Sequence, residues 1–163
     1  MREMPFQLIK PIKGGPPNQS LYQSLASSPD WLCQAKLNGK RALWDGHTLW
    51  SRQGNVIEGE VEEALKGIST MFDGEWVRGV YYIFDLPDSP HPLSDRVQGI
   101  ESIVDLIDSP YVRMCPIVQD WTEVRKNEWE GVVFKRKSSR YRRAHVANSE
   151  TSDWVKFRAE WEV

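Results

Sequence analysis

The chain has 163 residues, enough to close one domain around a core and too few for two. Hydrophobic residues make up 40% and charged residues 27%, with a net charge of −2, which argues against a protein that coats nucleic acid through overall charge. No apolar run approaches the roughly 20 residues that span a bilayer, the N-terminus lacks a secretory h-region, and Cys33 and Cys115 lack metal-ligand spacing; the expectation is a reduced protein of the cytoplasm with no membrane partner.

Residues 1–30 read as a lead-in belonging to the same domain as 31–163: an irregular start, a turn-rich break at PIKGGPPNQS, then a short helix over LYQSLASS. Next comes CQAKLNGKRALW. WLCQA reads as a strand, LNG as turn chemistry and RALW as a resumed strand. Lys36 then ends the strand, with Lys40 and Arg41 folded back beside it. Three cations so close repel one another unless an anion lies between them; a basic hairpin tip in water is the alternative. Further strands are expected at HTLWSR, MFDGEWV, VYYIFDL, YVRMCPIV, GVVFKRK and DWVKFR, with DG joining two of them. EGEVEEALKGI aligns Val61, Leu65 and Ile68 on one helical side, and SDRVQGIESIVDLID repeats Val97, Ile100, Val104 and Ile107. Hairpins with helices set between groups of strands point to an α+β fold, antiparallel β-sheets with flanking helices.

Charge is unevenly placed. KRKSSRYRR puts six cations in nine residues, either a solvated loop or a patch that tracks phosphates. Strand alternation sets Trp154, Lys156 and Arg158 on one face, with the two cations about 7 Å apart. It also pairs Tyr82 with Phe84, an aromatic platform. Cations, carboxylates and a flat ring are the parts that hold phosphates, a ribose or metal, and a base.

Five stretches in order carry a resemblance. They are Lys36-Leu-Asn-Gly39-Lys-Arg41, Ser51-Arg52-Gln-Gly54, Asp73-Gly74-Glu75 followed by Tyr81-Tyr-Ile-Phe84-Asp85, Glu130 to Lys135 (EGVVFK), and Trp154-Val-Lys156-Phe-Arg158. Across residues 31–158 the chain resembles the adenylation domain of ATP-dependent polynucleotide ligases, within the covalent nucleotidyltransferases. The family's motifs are K-x-D-G-x-R, S-R-x-G, D-G-E, E-G-V-V-x-K and W-x-K-x-K. The resemblance implies an ATP-grasp-like nucleotidyltransferase domain whose lysine, here Lys36, attacks the α-phosphate of ATP and becomes a lysyl-AMP. A lysine amine with its usual pKa near 10.4 is protonated at neutral pH and cannot attack, so crowded cations and a bound metal are expected to free it. The same resemblance places Arg41 and Arg52 on phosphate or ribose oxygens, Glu75 on the ribose hydroxyls and Phe84 against adenine. Gln34 falls near the adenine amino group. Glu130 and Glu75 would face Mg²⁺ or Mn²⁺, and Lys135, Lys156 and Arg158 the phosphates, with Arg41, Lys156 and Arg158 assisting catalysis.

Three positions depart from the family pattern: Asn38 stands where an aspartate is usual, Arg158 replaces a lysine, and Gln34 replaces an acid. FDLPDSPHPLSDR and EGVVFKRKSSRYRRA lean toward DNA ligases, implying that Arg140, Arg142 and Arg143 touch the backbone of nicked duplex DNA. RNA ligation and a nucleotide- or nucleic-acid-binding module of weakened catalysis are the competing readings. The family's duplex-clamping OB-fold domain is not in this sequence. The expectation is therefore a minimal ligase, an isolated domain, or a subunit completed by a separate clamping protein.

Overall fold

The structure is a computed structural model and describes residues 2–163. In chain order the elements are β1 (Gln7–Leu8), β2 (Lys10–Lys13), α1 (Ser20–Ser27), β3 (Trp31–Lys36), β4 (Lys40–Trp44) and β5 (Leu49–Ser51). There follow α2 (Glu60–Leu65), β6 (Phe72–Val77), β7 (Val80–Asp85), α3 (Leu93–Ile107), β8 (Val112–Met114) and α4 (Trp121–Asn127). β9 (Gly131–Arg136), β10 (Arg143–Ala144), β11 (Glu150–Arg158) and a 3-10 turn (Ala159–Trp161) complete the chain. The strands form a four-stranded sheet ordered β2-β11-β9-β3, a five-stranded sheet ordered β5-β4-β6-β7-β8, and a small β1-β10 pair. Pairing is antiparallel except for β2 on β11 and β8 on β7. The fold is α+β.

Each large sheet buries one face under helices. On the four-stranded sheet Ala35, Val132, Phe134, Val155 and Phe157 pack with Tyr22 and Leu25 of α1 and Val124 of α4. On the five-stranded sheet Ala42, Trp44, Phe72, Tyr81 and Ile83 pack with Val61 and Leu65 of α2 and Ile100 of α3. Because strand side chains alternate, the residues between these core positions point the other way. On one sheet those are Gln34, Lys36, Val133, Lys135, Trp154, Lys156 and Arg158, and on the other Arg41, Asp73, Glu75, Tyr82 and Phe84.

Four sequence expectations are corrected. The lead-in is not irregular, since residues 7–13 form two strands, one of them a member of the four-stranded sheet. LNG does not close a hairpin, because β3 pairs with β9 while β4 pairs with β5 and β6. Leu37-Asn38-Gly39 carries the chain from one sheet to the other, and neither Asn38 nor Gly39 has a positive φ. Gly39 is needed for closeness instead: a Cβ there would lie 2.4 Å from the Trp76 carbonyl oxygen. On α3 it is Arg96 and not Val97 that turns fully inward, with Leu93 and Ile100, because Asp85 waits there to pair with it. Finally, α4 was not expected from periodicity. Its start is a capping box in which Asp120 accepts from Thr122 N while Glu123 accepts from Asp120 N.

Candidate active site

The chain's passage between sheets leaves a cleft of about 300 Å³ at the crossing. Gln34 and Lys36 from β3, Glu130, Val133 and Lys135 around β9, and Trp154 from β11 line one side. Gly39, Arg41 from β4, Arg52 after β5, Glu75 from β6 and Phe84 from β7 line the other, with Pro11, Ala35, Leu37 and Cys115 between. Residues spread from position 11 to 154 thus meet at one opening.

Glu130 is the hub at the Lys36 end. Its Oε2 lies 3.2 Å from Lys36 Nζ and its Oε1 2.7 Å from Arg158 Nη2. Arg158 also reaches Glu160 at 3.1 Å. Lys156, beside them on β11, has its ammonium pushed down first by burial and then by Lys36, Lys10, Lys13 and Arg158. Across the cleft, burial raises the Glu75 carboxyl to about 7 against the opposing pull of Lys36, Arg41 and a hydrogen bond from the Gly39 N–H. The nearby Glu130 charge raises it further. Glu75 and Glu130 are therefore the carboxylates that could face a divalent cation. Among the described residues no cluster of three or more His, Cys, Asp or Glu forms a metal site. An ion held here would draw its remaining ligands from water and substrate oxygens, as Mg²⁺ commonly does.

At the other end the charges are locked. Arg41 makes a two-pronged pair with Asp73 at 3.0 and 2.6 Å, and donates to the Ile9 carbonyl. Asp73 also accepts from the Tyr141 hydroxyl at 2.6 Å. Burial opposes the Arg41 charge, but Asp73 more than compensates and raises its pKa. Among the described residues Arg52 carries no such partner, and burial followed by the Arg41 charge lowers its pKa. Lys135 is 2% exposed, and its ammonium sits 4.0 Å from the centre of the Phe84 ring and 4.1 Å from that of Trp154. Burial pushes it down to about 8. This places Lys135 beside the aromatic platform. Gln34 donates from Nε2 to the Phe84 carbonyl at 3.2 Å, while its buried Oε1 has no partner among the described residues. Asn38 donates to the Glu128 carbonyl at 3.3 Å.

Lys156 and Arg158 border the cleft without lining it, and Arg140, Arg142 and Arg143 lie outside the lining. Arg140 donates to the Pro90 carbonyl, Arg142 approaches Asp153 at 3.6 Å, and Arg143 pairs with Asp88 at 2.7 Å. Sequence reasoning did not single out Asp73 as the Arg41 partner, Tyr141 as its support, or Trp154 and Cys115 as lining residues. Asp73 lies diagonally across from Arg41 on the same face, two residues from Arg41's direct partner Glu75, once β4 and β6 are paired.

No protein-family model matches the chain. A DNA ligase of Haemophilus influenzae is 25% identical over 144 residues, covering 69% of this chain and 54% of the ligase, so the chain spans about half the length of that curated relative. Among solved structures, the ligase domain of M. tuberculosis LigD superposes with a TM-score of 0.68 at 22% identity, over 94% of this chain and 59% of that one. A Lig E DNA ligase gives 0.67 at 16%, over 93% and 69%. A mycobacterial DNA ligase D complexed with ATP gives 0.65 at 20%, over 94% and 60%. The order of motifs, the two-sheet cleft and these superpositions agree: the chain carries the nucleotidyltransferase fold of the ATP-dependent DNA ligases.

Proposed function

We propose that the chain is the adenylation core of an ATP-dependent DNA ligase, which takes AMP from ATP onto Lys36 and passes it to the 5′-phosphate of a nick in duplex DNA. The observation that carries this reading is the convergence of Lys36, Glu130, Glu75, Arg52 and Phe84 on one cleft from separate strands. In the first step the Lys36 Nζ lone pair forms a P–N bond to the α-phosphorus as the P–O bond to pyrophosphate breaks. The nitrogen must shed a proton, and Glu130, 3.2 Å away, is placed to receive it. Phe84 offers a stacking face, Glu75 a hydrogen-bonding acid for the ribose, and Arg52 a cation with no carboxylate partner among the described residues. Glu130, with Glu75 nearby, would hold Mg²⁺ or Mn²⁺, which when bound offsets charge on the phosphates. Arg140, Arg142 and Arg143 are exposed enough to trade their present partners for DNA phosphates.

The test is incubation with ATP labelled at the α-phosphate plus Mg²⁺, followed by denaturing gel electrophoresis. A covalent adduct is expected from the wild type and none from Lys36→Ala; an adduct that survives the substitution rejects Lys36. Sealing of nicked DNA in preference to nicked RNA is expected, and the reverse preference moves the reading to an RNA ligase.

A further inference from the structure

Between β9 and β10 one aromatic side chain, Tyr141, turns inward while Arg140 and Arg142 stay exposed. Its ring packs edge-on against Phe6 and Trp154, and its hydroxyl donates to Asp73 Oδ2 at 2.6 Å. Burial and then the Asp73 charge hold this phenol well above its usual pKa range, so the hydroxyl keeps the proton it donates. Asp73 is 0% exposed and meets Arg41 through both of its oxygens. A guanidinium carries five N–H groups in one rigid plane. Asp73 takes two of them and the Ile9 carbonyl one; the remaining two have no partner among the described residues, on a side chain that lines the cleft. A two-pronged pair is coplanar, so the plane of the Asp73 carboxylate sets the plane of the Arg41 fork. The terminal torsion of an aspartate is intrinsically broad and fixes no plane by itself. Apart from Arg41, the group bonded to this carboxylate among the described residues is the Tyr141 hydroxyl.

We infer that Tyr141 is a positioning residue for nucleotide binding: through Asp73 it fixes the Arg41 guanidinium so that the two remaining N–H groups meet oxygens of the nucleotide in the cleft. The inference rests on the nucleotidyl-transfer reading of Lys36 and adds to it a residue that touches neither substrate nor the reacting atoms. A hydroxyl that serves the fold alone is the poorer account. Arg41 and Asp73 already neutralise each other, and the Tyr141 ring is anchored by Phe6 and Trp154 without its oxygen.

The experiment uses the full chain, wild type against Tyr141→Phe, which removes the hydroxyl and keeps the ring. Adduct formation is followed over a range of ATP concentrations, with thermal midpoints measured alongside. The half-saturating ATP concentration is expected to rise about tenfold, the loss of one well-aimed hydrogen bond to a charged group, while the rate at saturating ATP stays within about twofold. A weakened fold would lower the saturating rate instead, so a fallen rate with unchanged half-saturation overturns the inference. Arg41→Lys has no fork to orient, and adding Tyr141→Phe to it should move half-saturation by less than about twofold. An undiminished effect in that background overturns the route through Arg41. A loss confined to transfer of AMP from preformed adduct to nicked DNA also overturns the inference, and puts Tyr141 on the duplex. If the wild type forms no adduct, the parent reading fails on its own, and equilibrium dialysis of labelled ATP decides the role of Tyr141. Weaker binding by Tyr141→Phe than by wild type upholds it; equal binding, or none by either, overturns it.

Discussion

The two sides of the cleft treat charge in opposite ways. On the five-stranded sheet Arg41 is held by Asp73, and Arg96, reaching in from α3, is held by Asp85 with both side chains 0% exposed. Arg96 also donates to the carbonyls of His91 and Ser139, so its guanidinium is nearly saturated. On the four-stranded sheet Lys156 and Lys13 stand beside other cations, with no acid of their own among the described residues. A buried ion pair ties elements together, and removing one partner strands the other in a dry site. An unpaired cation at a rim works against the folded state and is useful only to something that arrives. The fully buried pairs Arg41–Asp73 and Arg96–Asp85 belong to the five-stranded sheet and its helix, whereas the pairs on the four-stranded sheet, such as Lys36–Glu130, stay partly exposed.

Substitutions can break that contrast, beginning with the largest effect. Lys36→Ala should eliminate the labelled adduct while leaving the thermal midpoint close to wild type, because Glu130 keeps Arg158; a large loss of stability would place Lys36 among the shaping charges. Arg96→Met should leave Asp85 buried and unpaired and lower unfolding free energy by roughly 3–5 kcal/mol, read by urea titration. A wild-type midpoint for that variant would refute the structural role. Glu75 gives a pH-dependent case. Burial raises its folded pKa from the ordinary carboxylate value of 4.5 to about 7, so its contribution is fully present below about 4.5 and lost as pH rises through 7. Glu75→Gln should therefore match wild-type stability near pH 4.5 and exceed it at pH 8, and a parallel pair of pH profiles would count against this. Lys156→Ala should leave stability unchanged or raise it by a few tenths of a kcal/mol, through relief of repulsion, yet slow adduct formation. Smallest of all, Arg142→Ala should change stability by less than about 0.5 kcal/mol, since its partner Asp153 is met at an exposed 3.6 Å. It should also lower the salt slope of DNA binding by about one if it contacts a phosphate.

Much of this architecture was readable in advance where local patterns are strong. The strands around Lys36, Glu75, Phe84, Glu130 and Lys156 alternate clearly, and their motifs sit at strand ends where a cleft can open. The lead-in reads as irregular because KPIK has no alternation that distinguishes a strand from a coil; it becomes a strand only because β11 offers a free edge. LNG reads as a tight turn because Asn and Gly suit one, whereas the strands it joins find better partners elsewhere. Arg96 has no signal of its own in the sequence, since a lone arginine gives no sign that an aspartate 11 residues earlier will meet it.

The amino-acid order alone determined which residues end the strands, which faces are apolar, and that acids, cations and an aromatic ring recur in the sequence of the ligase motifs. These are properties of neighbours two to six positions apart, where strand and helix periods act directly. Only the tertiary structure decided which charges neutralise one another: that Asp73 claims Arg41, that Glu130 is divided between Lys36 and Arg158, and that Lys135 rests on Phe84 and Trp154. Ion pairing depends on distances of a few ångströms between segments far apart in the chain, and those distances exist only after the two sheets have closed on each other.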